Sequence, residues 1–152
     1  MDVPALSQEC GTRQNRIDMS LTKEERTTLV ALELKKAHET FEEIEILTTA
    51  NRWSGAANRL YYAVFHAVNA LLINDGLYVN THHGSHALFH LHYIKTRKMP
   101  IEYARLYSQL QTMREESDYN CVYEVEPEEL KQRIKPAQQF IEDIERAVNA
   151  NL

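Results

Sequence analysis

Apolar residues recur at alternating steps of three and four along most of this chain, and each run carries its own start and stop signals. Val30, Leu34, Ala37, Phe41, Ile44 and Thr48 form the first stripe, the core-facing side of an amphipathic helix. Thr22 and Glu25 stand at capping-box spacing, with Glu24 also suiting a first turn, so this helix is predicted to run from there to about Thr49. A second helix is predicted from about Arg52 to Asp75, ended by Gly76. At 1.5 Å per residue it would be about 36 Å long. A loop over 76–83 precedes a third helix from Ser85 to about Lys98, and Pro100 opens a fourth that reaches about Asp118. The last begins at Pro127 among Glu126, Glu128 and Glu129, with the stripe Leu130, Ile134, Ala137, Ile141, Ile144 and Val148. Pro136 lies off that stripe and is expected to kink the helix without entering the core.

Five such segments with short connections predict an all-α fold, an up-and-down bundle of four or five helices. Residues 1–18 show no apolar period and read as a flexible N-terminal arm, leaving 19–152 as one helical bundle domain.

The second helix differs from the others. From Leu60 to Asn74 it carries no charged side chain. Trp53, Ala57, Leu60, Val64, Ala67, Val68 and Leu71 share one face, and Asn58, Arg59, Tyr62, His66 and Asn69 the opposite one. Solvated faces usually carry Glu and Lys four apart. A polar, aromatic, nearly uncharged face implies burial with internal hydrogen bonds, a partner subunit or a site. Arg59, Tyr62, His66 and Asn69 form a strip that could bind a nucleotide or line a homodimer seam; as a lone histidine there, His66 also fits a structural hydrogen-bonding role.

Composition narrows the classes. The 152 residues include only four Gly and four Pro, and 43% are hydrophobic, enough for one sizeable core. A net charge of −5 argues against coat-type binding along DNA. No apolar run is long enough to span a bilayer, and the N-terminus lacks signal-peptide features. Cys10 and Cys121 are far apart, which suits two free thiols and a cytoplasmic setting.

On the fourth helix Tyr103, Tyr107, Leu110, Arg114 and Asp118 fall on one line, so the core stripe continues into an arginine and an aspartate. Two readings follow: a phosphate-binding guanidinium steadied by Asp118 with Tyr119 beside it, or a structural ion pair ending the helix. Five histidines lie between His82 and His92. His82, His86 and His90 are four apart, a spacing open to a transition metal, but no acidic or thiol ligand stands among them. A solvated helix start fits them better, and no metal is assigned. Neither a Gly-rich phosphate loop nor a nucleophile elbow occurs, and no cofactor is expected.

Three blocks resemble the HEPN domain family: Arg52 to Ala67 (RWSGAANRLYYAVFHA), Thr81-His82-His83-Gly84 with Ala87 to Thr96, and Met113 to Tyr119 (MREESDY). The resemblance extends from Met19 to about Ala150 and implies a bundle that dimerises about a two-fold axis. Many relatives are encoded beside a minimal nucleotidyltransferase and form toxin–antitoxin pairs with it, as the toxin. Active relatives cleave RNA without metal, using an arginine and a histidine separated by four to six residues. Here Arg114 matches the arginine, but Tyr119, Asn120 and Cys121 occupy the places of the histidine. The resemblance therefore implies a site for RNA or nucleotide built on Arg114 and Asp118, with His66 as the candidate stand-in for proton transfer. Arg59, Tyr62, Asn69 and Tyr119 complete the candidate contacts. The alternative is a non-catalytic nucleotide- or protein-binding module. In some relatives a tyrosine just past the motif receives adenylate from the partner enzyme, which marks Tyr119.

Overall fold

The structure, a computed structural model, describes residues 21–77 and 81–150. Among these residues are five α-helices and no strand: α1 Lys23–Thr49, α2 Trp53–Asn74, α3 His82–Phe89, α4 Ile101–Tyr119 and α5 Pro127–Ala150. They form the helical bundle expected from the stripes. The arm over 1–18 lies outside the described residues.

Local signals explain the boundaries. The Thr22 hydroxyl accepts the Glu25 amide at 3.1 Å, which starts α1. Asn51, at φ 59°, reverses the chain before α2, and Gly76, at φ 73°, stops it. A side chain at Gly76 would be strained in that left-handed conformation and would also meet the Arg26 guanidinium, whose Nη1 lies 3.0 Å from where the Cβ would stand. That guanidinium donates to the Ile73 carbonyl at 3.0 Å, satisfying the last turn of α2.

Two boundaries differ from expectation. The third helix begins three residues earlier, at His82, because Thr81 caps it by accepting the Gly84 amide at 2.9 Å. Gly84 is thus inside the first turn, not in a loop. The helix then widens into a π-helical turn, His90–Ile94, where the Lys95 amide reaches the His90 carbonyl at 2.9 Å. This turn buries Tyr93 and Ile94. Pro100 serves as the N-cap of α4, one residue outside the helix.

The other four helices all pack against α2. Its Ala56, Ala57, Leu60, Tyr61, Ala63, Val64, Ala67, Val68 and Ala70 are fully buried, so it is covered nearly all round. The α5 stripe meets it with Leu130, Ala137, Phe140, Ile141, Ile144 and Val148; Ile134 is only partly buried, and Pro136 stays exposed. Phe140 stacks on Tyr103 of α4 with centroids 4.3 Å apart.

Candidate functional site

The Arg114 side chain is 9% exposed, an unusual depth for a guanidinium. It lies over the Tyr61 ring at 4.8 Å and the Tyr62 ring at 5.8 Å, so α2 supplies an aromatic floor and α4 a cation. Its carboxylate contacts are long: Nη1 to Asp118 at 3.6 Å and Nη2 to Glu115 at 3.7 Å. Nε is buried with no hydrogen-bond partner. The intrahelical pair expected from the sequence therefore exists, yet it uses little of the donor capacity of the guanidinium.

Tyr61 is the centre of this wedge, a role the sequence did not single out. It is fully buried, its hydroxyl is hydrogen-bonded to His82 Nδ1 at 2.8 Å, and its ring stacks on Phe65, His82 and Tyr107. Burial pushes its pKa up to about 12, with Arg114 pulling the other way. His82 arrives from the first turn of α3 and stacks on Phe65 at 4.2 Å. Burial, then the charge of Arg114, holds its pKa below the ordinary histidine value. The histidine run thus corrects the expectation of a solvated helix start. His86 also turns inward, stacking on Tyr107 at 3.6 Å with its Nε2 buried and unpartnered, and burial lowers its pKa to about 4. His90 is exposed. Among the described residues no three His, Cys, Asp or Glu side chains are grouped to hold a metal ion.

The strip on α2 divides. Arg59 bonds Asn58 Oδ1 and lies 3.6 Å from Glu43 and 5.5 Å from the Tyr62 ring. His66 Nδ1 meets Glu33 Oε2 of α1 at 2.8 Å, and its ring centroid is 6.4 Å from that of Tyr62. These residues, with Phe65, stay partly open to solvent. Asn69 does not join them. It is 3% exposed and accepts the Ser85 hydroxyl at 3.0 Å, fastening α3 to α2, so its place is internal. Asp118 reaches Asn58 Nδ2 at 3.5 Å and borders the same wedge. Tyr119, one residue on, is 80% exposed at the end of α4.

The structure places Arg114 over the rings of Tyr61 and Tyr62 with Asp118 beside the guanidinium, and Arg59 and His66 lie farther along the α2 strip. It adds Tyr61, Phe65 and His82. The missed signal was Thr81 as a cap, which would have put His82 on a helix instead of a loop. A cavity of about 610 Å³ elsewhere is lined by Leu71, Asp75, Leu77, His92, Tyr93, Lys98, Met99 and Ala147. There the Tyr93 hydroxyl donates to the Asp75 carboxylate, so its central polar pair is self-satisfied. Chemically, the Arg114 wedge offers unspent cationic donors, an aromatic floor and an imidazole, a combination suited to an anion carrying a planar group.

No helix among the described residues is long and apolar enough to cross a membrane. The chain is 32% identical over 124 residues to a Thermotoga maritima protein named "UPF0332 protein", covering 82% of this chain and 94% of that one. It is 29% identical over 128 residues to a Methanocaldococcus jannaschii protein named "Putative toxin", covering 84% and 94%. Another protein so named from the same organism is 28% identical over 96 residues, 63% of this chain and 65% of that one. The family model for the HEPN domain matches residues 30–147, and the chain belongs to the HEPN domain family.

Proposed function

We propose that this chain is a toxin-type HEPN protein that binds RNA or nucleotide phosphate at the Arg114 wedge, at the seam of a homodimer, with a minimal nucleotidyltransferase as its partner. One observation carries the ligand assignment: a guanidinium that is nearly all buried while its Nε has no partner and its carboxylate contacts are 3.6 and 3.7 Å long. Burying a charge this way costs stability unless something else completes its hydrogen bonds. Phosphate does so with two parallel bonds. Nucleobases suit the aromatic side of the wedge. The toxin assignment draws on the two Methanocaldococcus jannaschii relatives of that name. The dimer assignment draws on the partly open strip Arg59, Tyr62, Phe65 and His66, which a second copy would cover.

Binding without cleavage is the form favoured by the residues after Arg114, since Tyr119, Asn120 and Cys121 supply no imidazole. His66, paired with Glu33, is the remaining α2 candidate for proton transfer in a cleaving form. Expression of the full chain in bacteria should slow growth, and Arg114→Ala should restore it. The purified variant should lose affinity for labelled single-stranded RNA. Full toxicity and full RNA affinity in Arg114→Ala would refute the site. Incubation with a cognate nucleotidyltransferase and ATP should add adenylate mass to the exposed Tyr119, and Tyr119→Phe should abolish it.

A further inference from the structure

Three α2 rings hold the His82 imidazole. It stacks on Phe65 with 18° between the planes, meets the edge of Tyr62 at a centroid distance of 5.7 Å, and shares its Nδ1 with the Tyr61 hydroxyl at 2.8 Å. Tyr61 also lies beneath the Arg114 guanidinium at 4.8 Å, so imidazole and guanidinium are neighbours on one floor. His82 is the first residue of α3, at the positive end of the helix dipole. The Arg114 guanidinium and the helix dipole favour an anion there, opposed by Glu115 and Asp118 at 3.7 and 3.6 Å from the guanidinium.

The hydrogen bond sets the chemistry of the ring. Tyr61 keeps its proton far above neutral pH, because burial pushes its pKa up to about 12. Its hydroxyl thus has a proton to offer Nδ1 at 2.8 Å, and a neutral imidazole that accepts there carries its own proton on Nε2. The surroundings of the ring favour its neutral form. Burial, Arg114 and His66 all disfavour its protonation, with Glu115 opposing. On α3, His86 is itself held neutral by burial. A ring in this state is a hydrogen-bond donor and has no free lone pair with which to act as a base.

We infer that His82 is a ligand-binding residue of the Arg114 site, offering a neutral Nε2–H to a phosphate oxygen that the guanidinium also engages, with Tyr61 as the positioning residue that fixes the tautomer. This rests on the phosphate-binding reading of that site. It assigns His82 the part of a polarising donor, and not that of the acid or base absent from residues 119–121. A tetrahedral phosphate suits the pair because it offers several oxygens to donors arriving from two helices.

Two measurements on the full chain test it. Nitrogen NMR on [15N]histidine-labelled protein, with the signal assigned through His82→Ala, reads the tautomer directly and needs no ligand. The Nε2–H form should dominate at pH 7, and Tyr61→Phe should release a mixture of tautomers. An Nδ1–H form, or an imidazolium at pH 7, overturns the inference whatever the site binds. Anisotropy with a labelled single-stranded RNA then tests the donor. His82→Ala should weaken binding by about ten-fold or more, the scale of a hydrogen bond to a charged group. His82→Gln, whose amide can reach the Nε2 position, should recover part of the loss, and His82→Asn should not. Should His82→Ala melt early, the folded Gln and Asn pair carries the comparison. If Arg114→Ala weakens binding and His82→Ala does not, the role of His82 fails while the site stands. If neither weakens it, or the chain binds no RNA, both fall together.

Discussion

Replacing Arg114 by methionine separates a binding arginine from a structural one. Methionine keeps an unbranched apolar stem over Tyr61 and Tyr62 and removes only the guanidinium. The variant loses two ion contacts of 3.6 and 3.7 Å to carboxylates that are themselves 33% and 50% exposed; such pairs are worth up to about 1 kcal/mol each. It also loses the cation–π contact at 4.8 Å, about 0.5–2 kcal/mol. Against this, it removes a buried Nε with no partner, a cost of about 1–3 kcal/mol in the native protein. The two sides nearly cancel. Arg114→Met should therefore change the unfolding free energy by no more than about 1 kcal/mol, in keeping with the near-neutral replacement of other buried ion pairs by apolar residues. Urea unfolding followed by circular dichroism would show it as a small midpoint shift at constant m. RNA affinity should fall roughly 10- to 150-fold, the equivalent of losing about 1.5–3 kcal/mol of charge-assisted hydrogen bonding. Asp118→Asn should weaken binding less, because it loosens the guanidinium without removing it. A loss of stability above about 3 kcal/mol with RNA affinity unchanged would refute this reasoning and leave Arg114–Asp118 as a structural pair.

Further expectations follow from the same geometry. Asn69→Leu leaves the fully buried Ser85 hydroxyl without its acceptor and should cost about 1–3 kcal/mol, read as a lower Tm with α3 the first element to exchange its amides. His86 is neutral in the fold, with a pKa of about 4, against about 6.5 when unfolded. Between these values the unfolded chain binds more protons, so stability rises with pH across the window and is lost as pH falls from 6.5 toward 4. The unfolding free energy from urea titration at pH 5 should lie below that at pH 7 by an amount on the order of 1–2 kcal/mol, and His86→Phe should reduce that difference; an unchanged difference would dismiss His86 as its source. Light scattering at micromolar concentration should report a dimer, and a monomer there would count against α2 as a seam. A chain beginning at Met19 should melt within a few degrees of the whole, because the first cap is formed by Thr22 and Glu25.

The bundle was legible because its signals are local. Each stripe sets a helix face by arithmetic, and Thr22, Gly76 and Pro127 mark ends through backbone chemistry that needs no distant neighbour. The third helix was harder, because Gly84 reads as a turn unless Thr81 is recognised as the cap it turns out to be. The histidines were harder still. His82, His86 and His90 share a spacing, yet one is hydrogen-bonded to Tyr61, one is stacked on Tyr107 and one is exposed. Only the rings of α2 and α4 distinguish them, and no periodicity in the α3 segment records those rings. Asn69 shows the same limit from the other side. Its helix position matched Tyr62 and His66, but α3 covers it and leaves them partly open.

The location of the candidate site follows from the central helix being uncharged. A helix with no charge from Leu60 to Asn74 calls for cover on most sides, and four helices supply it except along the partly open strip of Tyr62, Phe65 and His66. Where α3 and α4 meet over Tyr61, the cover consists of an imidazole and a guanidinium instead of leucines. A core optimised for stability alone would not put an arginine there, since an apolar side chain of the same length would fill the space without an unpartnered nitrogen. The energetic penalty is local, and it falls on the side chains that face the open strip of Tyr62 and Phe65. That coincidence is the physical reason for treating the wedge as a place where a ligand completes the hydrogen bonding that the folded chain leaves unfinished.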